Sequence, residues 1–220
     1  AMTGDGVNDV LALKASDCSI AMANGSDATK NIAQLVLLDS NFASMPKVVN
    51  EGRRTINNIQ RSASLFLVKT IYSTILALMF LFFGEQYPFI PIQLSLVSTI
   101  TIGIPSFILA LEPNKEKIKG DFLKNVISKS LPTAITAILN VFSIAMLYKF
   151  NIIPEECYSS LCVIALGMSG IMLLFTLSKS RKSEETKLPV SVFRLTLSFG
   201  MLLLFLIGLT EFSWWFNICE

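Results

Sequence analysis

Five apolar stretches, at about 63–83, 89–111, 131–150, 157–178 and 189–210, dominate the chain. Each has roughly the twenty residues a helix needs to cross a ~30 Å hydrocarbon core. Lipid offers no hydrogen-bond partners, so segments of this kind must satisfy their own backbone as helices. Composition agrees: 52% of residues are hydrophobic, only 15% are charged, and the mean hydropathy is +0.60. The expected fold is an α-helical membrane protein with about five transmembrane helices. Pro132 and Pro189 fall near the expected starts of their segments, where proline does little harm. The second segment is interrupted at "TIGIPS", around Gly103 and Pro105. That predicts a broken helix with free backbone carbonyls, which a membrane tolerates only beside a cavity or against protein.

The loops set an orientation. One side carries Lys47, Arg53, Arg54 and Arg61, then Lys115, Lys117, Lys119 and Lys124, then Lys179, Arg181, Lys182 and Lys187. The other side carries "GEQYPF" and "NIIPEECYSS", with Lys149 at a span's end as its single base. Basic loops stay inside, so the first side is expected to face the cytoplasm. Trp214 and Trp215 suit an interfacial belt at the far end.

Residues 1–60 have a different character. "AMTG" reads as a strand entering a glycine turn, "NDVLALKASD" as a helix that Asn8 or Asp9 could cap, and "CSIAMA" as a buried strand. A turn at Asn24-Gly25-Ser26, a short helix at "DATKNIAQ" and a strand at "LVLL" follow. Alternating strands and helices predict a parallel sheet with covering helices. A polar, basic helix from Met45 to Arg61 then leads into the first span. The expected organisation is therefore a partial α/β, Rossmann-like domain at 1–44, a stalk helix at 45–62 and a transport domain at 63–220. A turn motif so near the start keeps only the tail of its leading strand, so we expect the chain to be the C-terminal piece of something larger.

Several functions are disfavoured by what is missing. A net charge of +2 gives no basic stripe for nucleic acid. The chain contains no histidine, which removes imidazole bases and imidazole metal ligands from this stretch. Cys18, Cys157, Cys162 and Cys219 show no CxxC spacing and read as scattered thiols.

Chemistry concentrates in "TGDGVND" at 3–9. A glycine turn between strand and helix, bearing carboxylates, suits Mg²⁺ beside a phosphoryl group, since magnesium takes one or two carboxylates with water and phosphate. Gly4 and Gly6 let the backbone turn sharply and approach a ligand. Amides at the following helix start favour an anion. Asp5 is the best metal ligand, Asn8 can donate to a phosphoryl oxygen, and Asp9 could support the metal shell. An Asx-rich turn with ordinary helix caps is the competing reading.

"TGDGVND", followed by "ALKASDCSIAMANGSDATKNIAQLVLLDSNFASMPKVVNEGRRTINNIQR", resembles the hinge motif and the end of the phosphorylation domain of P-type cation-transporting ATPases. The soluble core of that family belongs to the haloacid-dehalogenase superfamily. "SLFLVKTIYS" and "PFIPIQLSLVSTITIGIPSFILALEPN" look most like the bacterial cation-transporting ATPase E group. The resemblance implies an ATP-driven pump with an aspartyl-phosphate intermediate, Mg²⁺ as cofactor and ATP as substrate. It implies that Asp5 holds the metal, Asn8 binds the phosphoryl group and Asp9 completes the site. The nucleophilic aspartate of a DKTGT motif would lie upstream, in a missing N-terminal part of the pump, so this stretch alone is expected to be inactive. The implied partners are a transported cation, lipid and that missing part. A non-catalytic membrane fragment and a pump for another cargo, such as magnesium, a monovalent cation or a larger polar substrate, are the alternatives.

By the same resemblance the first two spans line the ion path. Where calcium pumps place an Asn and a Glu on the first of these, this chain has Thr70 and Ser73. Where they place an Asn, a Thr and an Asp on the second, it has Ser98, Thr101 and Ile102. Only the threonine is kept, so a calcium site of the familiar composition is not expected from these two spans. Lys69, well inside the first span, costs on the order of 3 kcal/mol on translocon scales. It snorkels, pairs with an acidic residue elsewhere, or serves as a built-in positive charge that alternates with the cargo. The hydroxyls of Thr70, Ser73, Ser95, Ser98, Thr99 and Thr101 either line a path or pack helices. Gln93 reads as structural, Asn140 as an interhelical hydrogen bond and Glu211 as interfacial.

Overall fold

The structure is a computed structural model describing residues 1–84, 86–114, 116–118, 120–178, 192–211 and 213–216. Lys115, Lys119, Lys179, Arg181, Lys182, Lys187, Pro189 and Cys219 lie outside the described residues, as does the side chain of Trp215. The chain divides into two units, Ala1–Gly52 and Arg53–Glu220.

In the first unit, β1 (Met2–Gly4), β2 (Ser19–Met22) and β3 (Leu35–Leu37) form a parallel sheet in sequence order, with Gly4 opposite Ala21 and Ala21 opposite Val36. Parallel neighbours need crossovers; α1 (Val10–Ala15) and α2 (Asp27–Ile32) supply them. Leu13 of α1 and Ile20, Ala21 and Leu37 of the sheet are buried together as the small core. Ser26 caps α2 by accepting from the Ala28 amide at 3.1 Å. After β3, the Ser44 hydroxyl and the Asn41 amide hold the Asp39 carboxyl below its usual range just ahead of α3 (Met45–Phe83).

From Arg53 onward the second unit is helical. Beyond α3 come α4 (Pro91–Ser98), a π-helical segment (Thr99–Gly103), α5 (Ile104–Leu111), α6 (Phe122–Lys149), α7 (Glu155–Ser178), α8 (Val192–Thr210) and α9 (Ser213–Phe216). Five helical segments are long and apolar enough to cross a membrane: Phe42–Phe83, Pro91–Leu111, Phe122–Lys149, Glu155–Ser178 and Val192–Thr210. Gly84, at φ 66°, stops α3 in the left-handed conformation glycine adopts most readily. Along α3 the buried positions Arg61, Leu65, Val68, Tyr72, Leu76 and Phe80 recur every three or four residues, marking its inward face. Helix α7 is the most enclosed, with Cys162, Val163, Leu166 and Ile171 all buried.

Three expectations need correction. The second span is not broken at "TIGIPS"; it widens into one π-helical stretch, and the Ile104 amide still reaches back to the Thr99 carbonyl. Widening absorbs Pro105, which has no amide to donate, without ending the helix. Helix α6 starts at Phe122 rather than near Leu131, so Pro132 lies inside it. The early start follows from polar residues such as Lys124 and Asn125, which hydropathy excludes from a span but which continue a helix well. Asn140 sits on the exposed face of α6 and makes no hydrogen bond among the described residues, so it is not the expected interhelical link.

Candidate functional site

The glycine turn leaves the carboxyl end of β1, the edge where open α/β sheets gather their ligand-binding loops. After the turn, Val7–Asp9 forms a single 3₁₀ turn that runs into α1. Asp9 folds back: its Oδ2 accepts from the Asp5 amide at 3.1 Å and the Gly6 amide at 3.2 Å. This carboxylate therefore closes the turn instead of capping α1, whose first amides receive no side-chain cap from it. Gly4 is required for the closure, because a Cβ there would lie 2.5 Å from the Asp9 Cβ. Gly4→Ala is expected to destabilise the folded unit by roughly 1–3 kcal/mol, the usual cost of overpacking. Chemical denaturation of the intact protein would show this as a lowered midpoint.

The loop after β2 seals the turn from the other side. The Ser26 amide donates to the Asp5 carbonyl at 2.7 Å, and a Cβ on Gly25 would stand 2.8 Å from that same oxygen. Sequence reasoning took Asn24-Gly25-Ser26 for a plain connection and missed this role. With its backbone pinned at both groups, Asp5 presents an exposed carboxylate that has no partner among the described residues. Asn8, one 3₁₀ position before Asp9, is exposed as well. This donor set suits magnesium in part. Asp5 supplies a free hard oxygen and Asp9 keeps Oδ1 uncommitted, while no third acidic or sulfur ligand joins them among the described residues. Phosphate and water oxygens would have to fill the rest.

In the second unit, most of the hydroxyls singled out on the first two spans bond backward along their own helices. Thr70 donates to Phe66 at 3.1 Å, Ser73 to Thr70 at 3.3 Å, Ser95 to Pro91 at 3.0 Å and Thr101 to Val97 at 2.7 Å. Their protons are thus occupied, but each oxygen keeps lone pairs free to accept. Thr101 is buried against α7, where Gly170 admits it: a Cβ on Gly170 would be 2.7 Å from the Thr101 Cβ. Thr101 is therefore a packing residue in this arrangement. Ser98 is half-buried and Thr99 exposed, and neither hydroxyl makes a hydrogen bond among the described residues. Ile102 is buried. Lys69 is half-buried and forms no ion pair among the described residues. Gln93 is buried, accepting from the Ser159 hydroxyl at 2.7 Å and the Ile90 amide at 3.3 Å.

The most heavily bonded polar cluster is one that sequence reasoning did not find. Arg54, Asn57, Asn58 and Arg61 lie on one face of α3 and grip the end of α5. Arg54 Nη2 donates to the Leu111 carbonyl at 3.3 Å, and Asn58 Nδ2 donates to the carbonyls of Ala110 at 3.1 Å and Glu112 at 2.8 Å. Asn57 Nδ2 donates to the Glu116 carbonyl at 2.8 Å. Arg54 and Asn58 thereby satisfy helix-end carbonyls that have no partner within α5, and two cations meet the negative end of its dipole. At the centre, the Glu112 carboxylate takes Arg61 Nη1 at 2.6 Å and Arg194 Nε of α8 at 2.8 Å on each oxygen. All three residues are buried. The available signal was Arg194 itself, a permanent cation within an apolar run, which by its cost demands a named partner.

Comparison with known proteins bears on both units. Residues 1–48 match the haloacid dehalogenase-like hydrolase family. Over 145 residues the chain is 50% identical to the calcium-transporting ATPase CtpE of Mycolicibacterium smegmatis, a match covering 61% of the chain and 18% of that protein. Over 183 residues it is 40% identical to the probable cation-transporting ATPase exp7 of Streptococcus pneumoniae, covering 80% of the chain and 24% of that protein. The chain is related to the P-type cation-transporting ATPases. A calcium-transporting ATPase of Bacillus subtilis is 34% identical over 125 residues, 56% of the chain and 14% of that protein. The chain thus spans less than a quarter of the length of these P-type relatives.

Proposed function

We propose that the chain is the C-terminal part of an ATP-driven P-type cation pump, with residues 1–44 ending the phosphorylation domain, 45–62 forming the stalk and 63–220 carrying transport spans. The supporting observation is the turn at 4–9, which leaves Asp5 exposed at the carboxyl edge of a parallel sheet while Asp9 locks the backbone behind it. In this reading Asp5 ligates Mg²⁺, and Asn8 donates to the phosphoryl group taken from ATP onto an aspartate elsewhere in the pump. Asp9 acts chiefly by holding Asp5 in place. When bound, the metal neutralises charge on the transferred group. The basic side of the spans and the first unit face the cytoplasm of a bacterial cell, in keeping with the positive-inside rule.

The cargo is a cation, and the first two spans alone do not supply the carboxylates of a divalent site. Thr70, Ser73 and Ser98 offer neutral oxygens, and Lys69 adds a positive charge to the first span. Calcium is the cargo named for CtpE; here it would need charged ligands from outside these spans. The deciding experiment is acid-stable phosphoenzyme formation from ATP by the complete coding region in membrane vesicles, against a panel of cations. A cation-dependent phosphoenzyme is expected, and its absence under all conditions would sink the reading. Lys69→Ala is expected to slow dephosphorylation several-fold if the lysine takes the place of a returning ion. Unchanged decay would remove Lys69 from the ion cycle and leave it snorkelling or paired with an acidic residue elsewhere.

A further inference from the structure

Asn140 stands near the middle of the apolar stretch at 131–150, about 15 Å from either end at the rise of an α-helix. It is exposed on α6 and makes no hydrogen bond among the described residues. At that depth a carboxamide reaches neither headgroups nor water, and hydrocarbon offers it no partner. The helix already uses another face inside the chain, where Val126, Ser130, Ala134, Ala137 and Val141 are buried. Asn140 also belongs to a pattern. Thr136, Asn140, Ser143 and Leu147 are all exposed and follow one another at spacings of four, three and four residues. That is the repeat of a seam along which one helix winds against another, the packing most transmembrane bundles share. Within the stripe, the Thr136 hydroxyl donates to the Pro132 carbonyl at 2.9 Å and the Ser143 hydroxyl to the Leu139 carbonyl at 2.8 Å. Their protons are used inside α6, and their oxygens stay open as acceptors on either side of the amide.

What fits the stripe follows from its own charge pattern. A carboxamide joins a partially negative oxygen to a partially positive NH₂ group, so it is complementary to a second carboxamide, each donating to the other. The membrane supplies the geometry for that exchange. Every copy of the chain inserts with its basic loops on the same side, so two copies side by side run parallel and hold Asn140 at the same depth. A two-fold axis along the membrane normal then sets each residue of the stripe against its own counterpart. A single Asn at such a seam fixes register and the number of helices that join. We propose that the Thr136–Leu147 stripe is a dimerisation surface that takes α6 of a second copy of this chain, the two Asn140 carboxamides bonding to each other at the axis. The short side chains of Thr136 and Ser143 let the helices approach closely around that bond. This surface goes beyond the pump reading and requires only that the spans lie in a membrane.

The test is resonance energy transfer between donor- and acceptor-labelled copies of the complete protein in lipid vesicles, followed as the protein is diluted with lipid. Transfer should fall over a defined range of protein-to-lipid ratio, with the dependence on acceptor fraction that a dimer gives. Asn140→Leu suits lipid better than the native residue and leaves the helix in place. It should weaken association about tenfold, or ~1.4 kcal/mol, as the loss of interhelical hydrogen bonds does in model membrane peptides. Asn140→Gln keeps the carboxamide and should keep most of the association. Oxidative cross-linking reads the register: Asn140→Cys should join two copies well above the background from the chain's own cysteines. Ile135→Cys, exposed but off the stripe, should stay at that background. A wild type that is monomeric at every dilution, as when another span of a longer polypeptide covers Asn140, would overturn the proposal. So would a dimer that Asn140→Leu leaves unchanged, or one that cross-links through Ile135→Cys in preference to Asn140→Cys.

Discussion

Asp5→Asn is expected to lower ATP-dependent phosphoenzyme formation by at least about 10²-fold in the complete protein. The reasoning is electrostatic. Magnesium favours anionic hard oxygens, and an amide in the same place offers a neutral oxygen to a dication. Metal stabilisation of a transferring phosphoryl group amounts to several kcal/mol, and each 1.36 kcal/mol is tenfold in rate. Asp5→Asn should leave the fold intact, because the Asp5 side chain has no partner among the described residues; only its backbone amide and carbonyl are engaged. The companion variant separates ligand from scaffold. Asp9→Asn keeps an oxygen that can accept from the Asp5 and Gly6 amides, so the turn survives on weaker, uncharged bonds. If Asp9 mainly holds the turn, Asp9→Asn should be far milder than Asp9→Ala. Equal loss in both Asp9 variants would make Asp9 a metal ligand in its own right. Near-normal phosphoenzyme in Asp5→Asn would remove Asp5 from the metal site altogether.

The contrast between these two aspartates shows what a sequence can and cannot disclose. Composition and spacing are enough to identify a glycine turn with carboxylates after a strand, because strand periodicity and turn chemistry are local. They do not say which carboxylate is tied down, since that depends on how tightly Gly4 lets the turn close on Asp9. The loop at Gly25-Ser26 was invisible as a site element for a related reason: it reaches Asp5 across the sheet, not along the chain. In the membrane unit, run length and hydropathy located the spans, because lipid imposes that signal on every residue of a helix. The same measure misplaced the start of α6, whose first turns are polar yet helical. It also took Gly103 and Pro105 for a break where the backbone only widens. Helix propensity and hydropathy are separate quantities, and they diverge at span ends and at prolines.

Pairing between spans is the least legible level, and Glu112 shows why it matters. This carboxylate follows α5, Arg61 lies on α3 and Arg194 on α8, so three segments far apart in sequence meet at one charge. Desolvating two guanidinium groups is tolerable only because Glu112 lies between them at 2.6 and 2.8 Å. Glu112→Gln keeps the shape and removes the charge, leaving two buried cations facing each other. Loss of one partner from a buried ion pair costs about 3–5 kcal/mol, and that is the expected destabilisation. It should appear as a marked drop in the thermal unfolding temperature of the purified protein in detergent. Replacing all three residues with apolar ones of similar volume, Arg61→Met, Glu112→Leu and Arg194→Met, should recover most of that loss, since no charge is then left unpaired. If the triple variant is no more stable than Glu112→Gln, the cluster acts through the backbone carbonyls gripped by Arg54 and Asn58 instead of through its charges. If Glu112→Gln costs under about 1 kcal/mol, the range typical of exposed pairs, water reaches the cluster and the three segments are held by apolar packing. The asymmetry of the contacts adds a finer expectation. Arg194 engages both carboxylate oxygens and Arg61 only one, so Arg194→Met should cost more than Arg61→Met.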